Sequence, residues 1–245
     1  SVYVIGVYIS DLTCTINNNV TLPATSVESV FVVKYNSSGV AQWAETIIGS
    51  ENADGGGIAV DSSGNVYVTG DYRTAVSVTL GNNVTLPVTS TYSQASDPLA
   101  SYDTSGFVIK YNTNGVVQWA KTIIPVYEQY VDTSVTINDI AVSASGDVYV
   151  TGDYQSRWDV VIGNNVTLPP SYFNVASKVN AFVAKYDTNG VAQWGGRMGA
   201  YNYESRGRGV VVHSNGIYVT GKFREGESNG YLTPVYPVPT GTRGY

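Results

Sequence analysis

One short strand recurs along this chain. "GNVYVTGDY" at 64–72 returns as "GDVYVTGDY" at 146–154, as "GIYVTGKF" at 216–223 and, shortened, as "VYVIGVY" at 2–8. Aligning the copies exposes a longer unit whose parts keep a fixed order. The unit opens on "GIAVDSSGNVYVTGDY" at 57–72, matched at 139–154 and 209–223. A variable segment follows, holding "NNVTLP" at 18–23, 82–87 and 164–169, and the unit ends on "FVVKYNSSGVAQWAETI" at 31–47, matched at 107–123 and 182–198. Three complete cycles and part of a fourth are present. Such a chain folds by stacking like units, because no single unit buries its apolar faces alone.

Each part reads as strand, since the apolar residues alternate at period two and are β-branched or aromatic. Phe31, Val33 and Tyr35 share one face while Val32 and Lys34 share the other. Asn or Asp early and Gly39, Gly115 or Gly190 late mark tight hairpins with positive φ at the last turn residue. Both faces carry bulk, with Val66 and Val68 on one side and Tyr67 and Thr69 on the other. A sheet with one wet face would alternate apolar with charged residues instead. Each unit is therefore expected to be a four-stranded antiparallel meander, sandwiched between its neighbours, with Tyr67, Tyr149 and Tyr218 out of solvent.

The pattern "FVxKYxxxGxxQWxxxI…GIAVDxSGNVYVTG" resembles the seven-bladed β-propeller repeat family (SBBP) of bacterial surface and secreted proteins and of proteins of large DNA viruses. The resemblance covers nearly all of residues 2–223. It implies an all-β, β-propeller-like array of four-stranded antiparallel blades, about three complete repeats plus a partial one, and brings no catalytic residues. The expected organisation is a single repeat domain over 1–245. Its repeats run approximately over 2–65, 66–147 and 148–216, with a partial one at 217–230 and a Pro-rich extended arm at 231–245. Closed propellers use about four to eight blades, and this chain starts and finishes on the same type of strand. It is thus a window on a longer polypeptide, or subunits complete one another's blades, or the blades form an open stack. The first two are preferred.

Composition narrows the function. Hydrophobic residues make up 43% of the 245 and charged ones only 13%, so the surface is mostly neutral polar. A net charge of −6 with scattered basic residues opposes a sequence-independent grip on nucleic acid. The densest basic group, Arg197, Arg206 and Arg208, reads as a solvated loop. Cys14 is the sole cysteine and reads as a small buried side chain; no intrachain disulfide is available. No apolar run reaches the roughly 18 residues of a membrane span, and no signal-peptide pattern is present.

Reactive constellations are sparse. The one histidine, His213, takes the turn slot that Asp61 fills elsewhere, so a His-dependent triad or multi-histidine zinc site is not expected. Glu45, Glu51, Asp54, Asp61, Asp71 and Asp153 fall at repeated turn or strand-end positions, which favours backbone hydrogen bonding over glycoside hydrolysis. "DSSGN" and "DTNG" lack the further acidic ligands of a calcium loop. No enzyme, metal or cofactor is expected. Asn19, Asn83 and Asn165 open "NVT" sequons and Asn36 opens "NSS", making them candidate N-glycosylation sites, although Asn-Asn equally suits a hairpin turn. Trp158, Tyr172, Tyr201 and Tyr203 lie in variable segments as candidate ligand-facing aromatics, whereas Trp43, Trp119 and Trp194 recur at one position and read as blade core.

The expected function is that of a structural or interaction protein of an extracellular or virion surface, touching protein subunits through blade edges, inserts and the arm. The alternative is a carbohydrate-binding, lectin-like propeller adhesin that takes glycans.

Overall fold

The period-two pattern becomes nineteen β-strands in a computed structural model, described over residues 1–49, 51–89, 104–125, 133–171, 179–199, 204–214 and 216–223. The first blade holds β1 (Val2–Ser10), a small hairpin of β2 (Cys14–Asn17) and β3 (Val20–Leu22), then β4 (Thr25–Tyr35) and β5 (Ala41–Ile47). The second holds β6 (Asn52–Val60), β7 (Val66–Arg73), a hairpin of β8 (Val78–Gly81) and β9 (Val84–Leu86), then β10 (Ser105–Tyr111) and β11 (Val117–Pro125). The third repeats this with β12 (Ser134–Val142), β13 (Val148–Gln155), β14 (Val160–Gly163), β15 (Val166–Leu168), β16 (Asn180–Tyr186) and β17 (Ala192–Met198). The fourth contributes β18 (Ser205–His213) and β19 (Gly216–Phe223). The Pro-rich arm at 231–245 lies outside the described residues.

Pairing follows the expected meander. The third blade is ordered β12-β13-β16-β17 and the second runs β6-β7-β10-β11, antiparallel throughout. The hydrogen-bonded sheet thus begins one strand before the period counted from "YVTG". Consecutive blades are tied by a parallel bridge: Glu28 pairs with Asn52, Thr104 with Ser134, and the Ser205 amide donates to the Val179 carbonyl at 2.9 Å. Gly39, Gly64, Gly115, Gly146 and Gly190 all have positive φ, as the turns require.

The "YVTG" motif now has a mechanical reading. Its glycine faces a register shift in the innermost pair, at Gly55/Ile58 opposite Gly70 and at Ile137/Asp139 opposite Gly152. There the inner-strand carbonyl comes so near that a Cβ on Gly70, Gly152 or Gly221 would collide with Asp54, Thr136 or Arg206. Its threonine donates to the third strand, Thr69 Oγ1 to the Phe107 carbonyl and Thr151 Oγ1 to the Phe182 carbonyl, each at 2.7 Å.

The core lies between blades, as a two-sided pattern demands. Val66, Val68, Phe107 and Ile109 of the second blade pack with Val30, Val32 and Ile47 of the first. On its opposite face, Tyr67 and Val108 pack with Val135, Ile137, Val148 and Val150 of the third. We call the first face leading and the second trailing. Tyr67 and Tyr149 are buried as expected, but Tyr218 is 51% exposed, because the trailing face of the fourth blade has no blade beyond it among the described residues.

The repeated tryptophans lie at the edge of the core, with Trp43 and Trp119 packed against it. Trp43, Trp119 and Trp194 are half-buried and stack beside Tyr3, Tyr67 and Tyr149, with ring centroids 6.0–6.3 Å apart. Two of the indoles reach across the joint: Trp43 Nε1 donates to the Thr113 carbonyl at 3.1 Å and Trp119 Nε1 to that of Thr188 at 3.3 Å. Lys34 Nζ joins Trp43 on Thr113 at 2.8 Å. Trp43 and Trp119 thus pack against the core and also hook the next blade's turn.

Candidate interaction surface

The inserts build the outer rim. In "NNVTLP" both asparagines adopt positive φ, 50° and 61° at Asn18 and Asn19, 48° and 58° at Asn82 and Asn83, 48° and 60° at Asn164 and Asn165. That is the twisted two-residue turn matching the flanking strands, and asparagine tolerates it. The first asparagine of each pair hooks the hairpin onto the blade's last strand, donating Nδ2 to Ala41, Val117 or Ala192 carbonyls at 3.2–3.3 Å. A second clip comes from the tyrosine closing "GDY" or "GVY": the Tyr8, Tyr72 and Tyr154 hydroxyls donate to the Pro23, Pro87 and Pro169 carbonyls at 2.7–3.0 Å. Leu80, Leu86, Ile162 and Leu168 point inward to the core. These hairpins are therefore fixed parts of the blades.

What the hairpins expose is also periodic. At each hairpin root a hydroxyl closes a local turn: Ser10 Oγ donates to the Leu12 carbonyl, Thr74 Oγ1 to Val76 and Ser156 Oγ to Trp158, at 2.7–2.8 Å. Those turns present Leu12, Val76 and Trp158 at one equivalent position, 76%, 58% and 40% exposed. Apolar side chains held outward on rigid turns lose little freedom when a partner covers them. Between the second and third hairpins lies a cleft of about 460 Å³, lined by Thr85, Pro87, Lys121, Ile124, Pro125 and Val161. One wall is the short pairing of β11 with β14, Ile124 with Val161 and Pro125 with Val160.

The sequon asparagines fall at these tips. Asn19, Asn83 and Asn165 are exposed second turn residues. Asn36 instead serves its own turn, its Oδ1 accepting from the Ser38 and Val40 amides at 2.9 and 3.0 Å. Trp158 is where an exposed aromatic was expected; Tyr172, Tyr201 and Tyr203 lie outside the described residues. Cys14 is half-buried on β2.

The charged groups are spent on turns and joints. Burial alone would raise Asp61, but hydrogen bonds from Asn65, Tyr67 and Ser63 outweigh it and hold the carboxyl below its usual range. Asp71, opposite Asp54 on the neighbouring strand, is pushed up to about 7 by burial and by the charges of Asp54 and Asp153, against a hydrogen bond with Thr136. Asp153 is also raised, chiefly by burial, although Arg206, Arg208 and Asn138 pull it down. Arg197, Arg206 and Arg208 are strand residues rather than a solvated loop: Arg197 is buried with Nη1 on the Pro170 carbonyl, Arg206 pairs with Asp153 and Glu204, and Arg208 is exposed on β18. His213 ends β18, exposed beside Ser214. Among the described residues no three His, Cys, Asp or Glu side chains gather as metal ligands.

Known proteins place this geometry. Residues 42–71, from the last strand of the first blade through "YVTG", match the beta-propeller repeat SBBP. The chain is a β-propeller-like repeat array. Over 173 residues, 71% of the chain, it is 25% identical to an uncharacterized WD repeat-containing protein of Acanthamoeba polyphaga mimivirus. The match spans 12% of that relative's length.

Sequence reasoning missed the tyrosine clip and the exposed row. A signal existed for the first: the tyrosine and the proline stand 15 residues apart in all three inserts, a constancy that a free loop has no reason to keep. For the second, Leu12, Val76 and Trp158 share position but not residue type, which hid the equivalence.

Proposed function

We propose that this chain is a non-catalytic interaction protein, a β-propeller-like module of an extracellular or virion-surface assembly that docks protein subunits on its outer rim. The observation that carries the reading is the row of Leu12, Val76 and Trp158, one exposed apolar side chain per blade on equivalent rigid turns. Apolar anchors spaced along a fixed scaffold, with a weakly charged neutral surround, have the character of a protein-docking surface. The name of the mimivirus protein, a WD repeat protein, supports a repeat module in a viral setting.

A glycan array with wild-type and Trp158→Ala protein, paired with cross-linking mass spectrometry on native material, tests it. The expected result is no saturable glycan signal, with protein cross-links concentrated at the hairpin roots. Saturable sugar binding lost in Trp158→Ala would replace this reading with the lectin one.

A further inference from the structure

The repeat departs from itself around the cleft between the second and third hairpins, about 460 Å³ of space over β11. Part of its lining belongs to every unit: Thr85 and Pro87 recur as Thr21 and Pro23 and as Thr167 and Pro169. Three other lining residues do not recur. Lys121 takes the place of Glu45 and Gly196, the three standing opposite the equivalent valines Val108, Val32 and Val183. Val161 takes that of Thr79 and Thr15, opposite the equivalent threonines Thr167, Thr85 and Thr21. Pro125 stands where the first blade has Gly49. Blade packing therefore accepts either charge, or no side chain, at the place of Lys121, and a hydroxyl at that of Val161.

Together these departures give the cleft one cation, apolar walls and no carboxylate, in a chain of 13 basic and 19 acidic residues. Among the described residues the ion pairs use Arg73, Lys185 and Arg206, and Lys121 joins none of them. A Cβ on Gly190 would collide with Lys121 Cε, so the lysine stem rests on the third blade's turn. The carboxylate of that turn, Asp187, is committed elsewhere: Oδ1 accepts from the Asn189 and Val191 amides and Oδ2 from the Gln193 side chain. The walls are set before any partner arrives. Tyr72 and Asn82 tie the second hairpin down, Tyr154 and Asn164 the third, and Val161 pairs with Ile124 on the floor.

We propose that this cleft receives an acidic segment of a partner protein, with an Asp or Glu carboxylate on the Lys121 ammonium and a neighbouring apolar side chain on Ile124, Pro125 and Val161. Charge complementarity selects that occupant. A cation without an internal counter-ion is answered by a ligand that brings the anion, and the apolar walls favour a carboxylate carried beside an aliphatic or aromatic group. The volume is that of a small-ligand pocket, so it takes a few side chains of an exposed loop or terminus rather than a domain face. The cleft's role rests on the rim being a docking surface, and adds the chemistry that the partner presents there.

Selection of a phage-displayed random peptide library on the full chain, followed by fluorescence polarisation with the enriched peptides made synthetically, tests it. Enriched sequences should set Asp or Glu beside an apolar residue and bind less tightly as salt rises. They should lose about tenfold or more in affinity for Lys121→Glu, as expected when a charged hydrogen bond is removed, and about threefold for Val161→Thr. Both variants install what another blade already carries at that place, Glu45 or Thr79, and melting curves verify that they fold. Enriched peptides without acidic residues, or acidic ones that bind Lys121→Glu as tightly as wild type, overturn the proposal, and so does a selection that enriches nothing. Cross-links at the hairpin roots alongside any of those results would keep rim docking and sink only the cleft. Acidic peptides that depend on Lys121, without such cross-links, would instead retire the exposed row and keep the cleft.

Discussion

Replacing Asp71 by Asn removes a carboxyl that the stacked blades disfavour in its charged form. Asp71 sits on β7 opposite Asp54, under the third blade, and is raised from an ordinary 3.8 to about 7 by burial first and the Asp54 charge second. Below the ordinary value both folded and unfolded chains hold the proton, so the site is neutral to stability. Between the two values the folded chain binds a proton that the unfolded chain has released, and stability falls as pH rises. Above about 7 the full penalty is present. At about 1.4 kcal/mol per pH unit the interval sets a ceiling of roughly 4 kcal/mol, and relaxation around the site leaves an expected ~1–3 kcal/mol. Asp71→Asn should therefore be more stable than wild type at pH 8, melting higher by about 3–10 °C for a chain of this size, and indistinguishable from it near pH 4. Melting followed by tryptophan fluorescence at both pH values reads this directly. Asp153 and Glu45 are raised as well, so only the variant-minus-wild-type difference isolates Asp71. A difference that does not change between pH 4 and 8 would refute the account, and Asp54→Asn should shrink it by removing the neighbouring charge.

Three further outcomes follow from the joints and hairpins. Gly152→Ala should lose about 3 kcal/mol in thermal denaturation, because its Cβ would meet the Thr136 carbonyl, while Gly216→Ala, with open space around it, should be nearly neutral. Tyr72→Phe removes the donor to Pro87 and should lose about 1 kcal/mol of local stability, the usual net worth of a hydrogen bond, read as faster amide exchange in β8 and β9 with β7 unchanged. Asn82→Ala should be worse than Asn82→Gly in urea unfolding, by roughly 1 kcal/mol, since both lose the bond to Val117 but only alanine also strains the positive φ.

The fold was legible because repetition turns one ambiguous strand into several aligned ones. "YVTG" read alone says only β-strand; four copies with bulk on both faces say that the faces are shared, and the burial of Tyr67 and Tyr149 bears that out. Turn chemistry was local and therefore readable: Asp61 accepts from the Ser63 and Asn65 amides as a turn residue should. The tryptophans were read only in part, because identity at a repeat position signals a shared contact without saying that it also reaches between blades. Trp43 reaches Thr113, 70 residues away, and no local pattern reports such a contact. Arg206 was misplaced for the same reason, its partner Asp153 being 53 residues distant.

The two halves of each joint carry different information. The outer half is generic: Trp43 and Trp119 hook equivalent turn carbonyls, and Gly115 and Gly190 lie against those indoles. A generic hook would let any blade follow any other. The inner half is individual. Ile5 fills the space beside Gly55, Asp71 meets Thr136, and Asp153 meets Arg206 while Asn138 donates to the Gly207 carbonyl at 2.7 Å. Following the third blade by the second would set Asp153 against Asp54, the register equivalent of Thr136 and Arg206, and place two like charges where the native joint has a hydroxyl or a cation. Mismatch of this kind disfavours a wrong neighbour. The divergence among the inner strands, which looks like decay of the repeat, makes each joint specific for its own neighbours.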